Sequence, residues 1–108
     1  MNSIEKQYGV VLVTASSEDE AKSIARSLVT EKLAACVSFF PIRSVYTWEN
    51  ELHTDMEWQL AIKTDLAQFA ALEAKIVSLH SYAVPEIIAL AIEAGSESYL
   101  SWIGTQTS

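Results

Sequence analysis

Between Leu52 and Lys63 apolar and polar residues alternate with a period of two, a pattern that suits an extended strand with one dry and one wet face. Leu52, Met56, Trp58, Leu60 and Ile62 fall on one side; His53, Asp55, Glu57, Gln59 and Lys63 fall on the other. A helix would scatter the same residues around its circumference. The preceding stretch, Leu33 to Thr47, is also strand-like, and Pro41 within it marks a bulge or a sheet edge, because proline cannot donate to a ladder. Between the two runs, Trp48-Glu49-Asn50-Glu51 reads as a tight turn in which Asn50 takes a positive φ. A long hairpin therefore occupies the middle of the chain.

The flanking segments supply the rest of a sheet and its cover. Tyr8 to Thr14 is short, apolar and β-branched, and reads as a strand buried on both faces. Ser17 and Glu20 have the spacing of a capping box. Ala21, Ile24, Ala25, Leu28 and Val29 then form one helical face that ends near Lys32. Asp65 and Gln68 repeat the box ahead of a second amphipathic helix with Leu66, Phe69, Leu72, Ile76 and Leu79 on its apolar face. After His80-Ser81-Tyr82 and Pro85, the run Glu86 to Ile92 reads as another doubly buried strand, and Ser96 to Ile103 as a short last helix. The order β-α-β-β-α-β-α predicts an α+β fold of the ferredoxin-like split βαβ type, with a four-stranded antiparallel sheet covered on one face by two helices. At 108 residues this is a single domain spanning 1–108.

Charge and cysteine content narrow the function classes. A formal charge of −7 runs against the Lys/Arg surface that a phosphate backbone needs, which argues against a nucleic-acid partner and against docking on an anionic membrane. One cysteine excludes an internal disulfide framework and multi-cysteine zinc motifs. No run reaches the ~20 apolar residues of a membrane span, and Met1 to Gln7 lacks an apolar secretory region, so a cytoplasmic location is expected. The aromatic residues exceed what one small core absorbs. Phe69 and Trp58 suit the core, whereas Tyr46, Trp48, Tyr99 and Trp102 are expected to be covered by neighbouring subunits of a homo-oligomer.

Five blocks carry a resemblance: Lys32-Leu-Ala-Ala-Cys-Val37, Ser44-Val-Tyr-Thr-Trp-Glu49, Ile62-Lys-Thr64, His80-Ser-Tyr-Ala-Val-Pro-Glu-Ile87 and Tyr99-Leu-Ser-Trp-Ile103. Together they resemble the CutA family of divalent-cation tolerance proteins from about Gly9 to Ile103. The resemblance implies a homotrimer with hairpins packed across subunits, a non-enzymatic role in tolerance of divalent cations such as copper, and possible metal binding. Family members with a proposed copper site carry a cysteine at the end of the first strand and paired histidines before the Tyr-x-x-Pro-Glu segment. Here Val13 and Leu79 stand at two of those positions and His80 at the third.

Metal sites need converging donors, and softer metals prefer thiolate and imidazole. The candidates are His80, Glu86, Cys36 and His53. His80 follows a helix C-terminus and, with Tyr82, Pro85 and Glu86, makes the densest polar cluster of the chain; in a trimer this loop would face a neighbour, with Lys63 or Trp48 nearby. Cys36 also reads as a small buried hydrophobe, and His53 with Asp55 and Glu57 as a solvated polar face able to hold a cation weakly. No cofactor other than a divalent ion is implied. Catalysis is disfavoured, since neither histidine has a nucleophile–base signature. The alternative is a PII-like sensor of nucleotides or small molecules, which would need clustered basic residues for phosphates.

Overall fold

The computed structural model describes residues 6–108. The expectation about a secretory segment rests mainly on residues 1–5, which lie outside them. The elements follow in the order β1 (Tyr8–Ala15), α1 (Glu18–Thr30), β2 (Cys36–Trp48), β3 (Glu51–Asp65), a 3-10 turn (Leu66–Gln68) running into α2 (Phe69–Leu79), β4 (Ile87–Ala91) and α3 (Glu97–Gln106). The sheet is antiparallel throughout with strand order β2-β3-β1-β4, the expected split βαβ arrangement.

Helix caps explain where α1 starts and stops. The Ser17 hydroxyl accepts the Glu20 N–H at 3.1 Å, as the capping box requires. Glu20 reaches back one residue further than expected, to the Ser16 N–H at 2.9 Å. At the other end, Lys32 and Leu33 donate to the carbonyls of Val29 and Leu28, with Lys32 at φ 60. That is a Schellman closure built on lysine instead of glycine. It stops the helix at Thr30 and leaves Leu33 to Ala35 as a connection in which Ala34 and Ala35 are buried, so β2 begins later than the sequence suggested, at Cys36.

The second capping box does not form. The Asp65 carboxylate accepts the Ala67 N–H at 2.9 Å and caps the 3-10 turn, while the Gln68 amide donates to the Thr107 carbonyl at 2.8 Å and ties α3 down. The hairpin turn is the tight one expected: Trp48 pairs with Glu51, and Glu49 joins Asn50 in a two-residue loop with both φ angles positive, 52 and 64. Two left-handed residues give the twist that continues a right-handed ribbon. Pro41 sits within an unbroken register opposite Trp58, so β2 is an edge strand without a bulge.

The core lies on one face of the sheet. Val11, Val13, Leu60 and Ile62 meet Ile24 and Leu28 of α1 and Leu72 and Ile76 of α2. Each fully buried side chain of this size contributes roughly 1.5–3 kcal/mol. The opposite face carries Val10, Leu12, Ala61, Ile88 and Leu90 in register. β4 is therefore not buried on both faces: it is the other edge strand, with Ile88 and Leu90 51% and 53% exposed. Its apolar composition is real, but among the described residues no element covers the second face. The hairpin repeats the point. Seven residues of β3, Glu51 to Glu57, pair only with β2 and extend ~23 Å past the rest of the sheet. Along that extension, the dry side of the alternation is bare, with Leu52 75% and Met56 65% exposed.

Candidate functional site

The polar groups gather where the hairpin leaves the sheet. Thr14 and Gln59 are register partners on the open face, and the Gln59 amide donates to the Val13 carbonyl at 3.1 Å and to Glu86 Oε2 at 3.3 Å. Glu86 is thus held one residue before β4 begins. His80 ends α2 in an extended conformation (φ −83, ψ 142), which turns the chain back toward β1. Its side chain is fully buried. Nδ1 accepts the Tyr82 N–H at 3.0 Å, so Nε2 carries the proton and donates to the Thr14 carbonyl at 2.6 Å. The imidazole is a brace between the loop and β1, with both nitrogens occupied.

A second brace comes from α1. Glu20 takes the Ser16 N–H and hydroxyl on one oxygen and the Ser81 N–H, at 2.8 Å, on the other. Burial alone would push this carboxyl up; the hydrogen bonds from Ser16 and Ser81 outweigh it and bring the pKa down to about 2. The loop so fixed presents Tyr82, whose ring lies 4.8 Å from the His80 ring centre and whose hydroxyl donates to Glu57 Oε2 at 2.7 Å. Burial and the Glu57 carboxylate together hold the Tyr82 phenol well above its ordinary value. Out along the hairpin, the Tyr46 hydroxyl donates to Asp55, which raises its pKa as well, and the Tyr46 ring stacks on His53 at 5.3 Å.

These groups enclose a cleft of about 680 Å³ lined by Ile42, Tyr46, Trp48, Glu57, Tyr82 and Glu86, among others, and by no Lys or Arg. Carboxylates beside aromatic walls favour positive charge and disfavour phosphate. That chemistry gives no support to nucleotide sensing.

The four metal candidates do not converge. His80 and Glu86 lie on the same side of the molecule at the cleft. Cys36 starts β2 opposite Lys63, and His53 sits ten residues along β3 opposite Tyr46. Among the described residues, no group of three or more His, Cys, Asp and Glu side chains is placed to hold a metal ion. The sequence reading had not foreseen two features of the site. Glu57, assigned to a wet face, is only 7% exposed because Tyr82 closes over it. Glu20, assigned to a local cap, also anchors a loop 61 residues away. The acid at each position was visible; its partner was a product of the fold.

The family model for CutA1 divalent ion tolerance protein matches residues 9–106. The chain belongs to this family. The divalent-cation tolerance protein CutA of Thermus thermophilus is 44% identical over 99 residues, covering 91% of this chain and 96% of that protein. The solved structure of the periplasmic divalent cation tolerance protein CutA from Archaeoglobus fulgidus superposes with a TM-score of 0.92 at 37% identity, covering 94% of this chain and 99% of that one. The chloroplastic protein CutA of Arabidopsis thaliana is 44% identical, and the match spans 54% of its length.

These relatives overturn the cytoplasmic expectation, since one bears a periplasmic description and another a chloroplastic one. The physical reason is that a compartment is addressed by a targeting segment separable from the folded domain, so domain composition does not report it. The family is named for divalent-cation tolerance and not for a catalysed reaction. No helix among the described residues is long and apolar enough to cross a membrane.

Proposed function

We propose that the protein acts without catalysis, as a homotrimer in the tolerance of divalent cations, copper included. The observation that supports an assembly is the open sheet face, and the number three is what the resemblance to the CutA family implies. Val10, Leu12, Ile88 and Leu90 form an apolar surface that water does not favour, and the half-exposed Tyr46, Trp48, Tyr99 and Trp102 add aromatic area of the kind enriched at subunit contacts. A second and a third copy supply the missing cover. Membership of the divalent-cation tolerance family supports the cation role.

Cation contact in this reading is weak and falls on carboxylates and imidazole that keep free atoms. His53 and Asp55 on the hairpin meet that condition, with Cys36 as a softer donor at the far end of the open face. His80 contributes by holding the loop, because metal at either ring nitrogen would break a backbone hydrogen bond. A complete coordination sphere then needs donors from another copy.

Sedimentation velocity at micromolar concentration tests the assembly, with a mass three times that of the chain expected; a single-chain mass overturns it. Calorimetric titration with copper and zinc tests the contact. Weak binding lost in a His53→Ala, Asp55→Asn double variant is expected, and identical isotherms remove those residues.

A further inference from the structure

The open face has opposite charges at its two ends. Of the described strand residues, Arg43 and Lys63 are the only arginine or lysine, and Arg43 pairs with Met56 on the helix side of the sheet, which leaves Lys63 as the single Lys or Arg of the open face. It stands between Val10 and Cys36, at the Leu90 end of the apolar patch. At the other end lie Glu57 and Glu86. Lys63, Glu57 and Glu86 form no ion pair with any described residue. Six residues of strand separate Lys63 from Glu57, ~20 Å, so the two cannot meet within one chain. Glu57 is an acidic side chain removed from water, and among the described residues the Tyr82 hydroxyl is its one hydrogen-bond donor. Such a group is costly unless a cation is supplied. Covering the open face would place Lys63 in the same difficulty.

We propose that Lys63 of one copy enters the Tyr82 cleft of the next and pairs there with Glu57 and Glu86, so that each acidic cleft is completed by a neighbouring chain. The inference rests on the trimer reading and names the contact that would set its register. An apolar patch with a cation at one end and two carboxylates at the other is complementary to another copy of itself. It rejects an arrangement that stacks like ends, because two unpaired buried charges would then face their own kind. The cleft volume suits an entering lysine, whose apolar stem would lie against Tyr46 and Trp48 while the ammonium reaches the carboxylates.

A charge swap tests it. Lys63→Glu is expected to raise the concentration at which the assembly half-dissociates by at least ~30-fold in sedimentation, with the circular dichroism of the chain unchanged. Adding Glu86→Lys in the same chain is expected to restore most of the loss. An unchanged assembly in Lys63→Glu, or a double variant no better than the single one, overturns the pairing. If Lys63→Glu fails to fold, Lys63→Met retains the volume and removes the charge. It should lower assembly stability and flatten its salt dependence, and wild-type behaviour on both counts overturns the proposal. A wild-type chain that sediments as a monomer would instead sink the trimer reading itself.

Discussion

Val11 and Leu12 are neighbours in β1, both apolar, and they meet opposite circumstances. Val11 points into the helix-covered core and is fully buried; Leu12 points to the open face between Ala61 and Ile88, beside side chains that water still reaches. The same strands thus carry two apolar faces that differ only in the source of their cover. One is closed by α1 and α2 of the same chain; the other is the face that the proposed assembly would cover. A doubly apolar strand therefore records two faces suited to burial without saying who supplies the second layer.

The contrast breaks most sharply through the covered face. Leu60→Ala should cost on the order of 3 kcal/mol in denaturant unfolding, because the cavity lies among α1, α2 and β1 and has little room to collapse. A loss below ~1 kcal/mol would mean that the two faces are not energetically distinct. On the open face, Leu90→Glu should leave the fold of the single chain within about 0.5 kcal/mol while abolishing the assembly, read as mass by light scattering. Retained assembly would show that the second layer lies elsewhere.

Glu20 sharpens the comparison from the side, since it ties the cleft loop to α1 whether or not the open face is covered. Its carboxyl is held near 2 against an ordinary 4.5, so its contribution is complete above pH 4.5 and is lost as pH falls toward 2. Glu20→Gln should cost on the order of 1–2 kcal/mol at pH 7, discounted for partial contact with water, and should flatten the stability profile across that acid window. A wild-type acid slope in the variant would assign it to other carboxylates. The smallest effect belongs to Lys32. Placing glycine at this left-handed position should stabilise the chain by about 0.5 kcal/mol, the relief of φ 60 partly offset by the added freedom of the unfolded chain. Since Lys32 ends α1 on the covered side, the assembly mass should not change.

The fold was legible because its signals are local. The alternation in β3, the Ser17 cap and the helical spacing of Ile24, Ala25 and Leu28 each sit within a few residues, and together they dictate order and topology. The edges of the elements were less legible. Gln68 has the spacing of a cap partner but is claimed by Thr107 from a helix that arrives later. The cleft was half legible: the His80 to Glu86 segment stood out, yet the roles of Glu20 and Glu57 depend on contacts across 61 and 25 residues that spacing does not encode.

The edge position of β4 has a consequence for the fate of a solitary chain. Ile87-Ile-Ala-Leu-Ala91 carries no charge and no proline, and among the described residues one side of its backbone ladder has no partner strand. Short uncharged edges of this kind recruit other edges, correct or not. In the proposed trimer, dilution or unfolding stress that separates the subunits would therefore feed aggregation in competition with reassembly, and the yield of soluble protein after refolding should rise with chain concentration over the range where subunits meet before edges do.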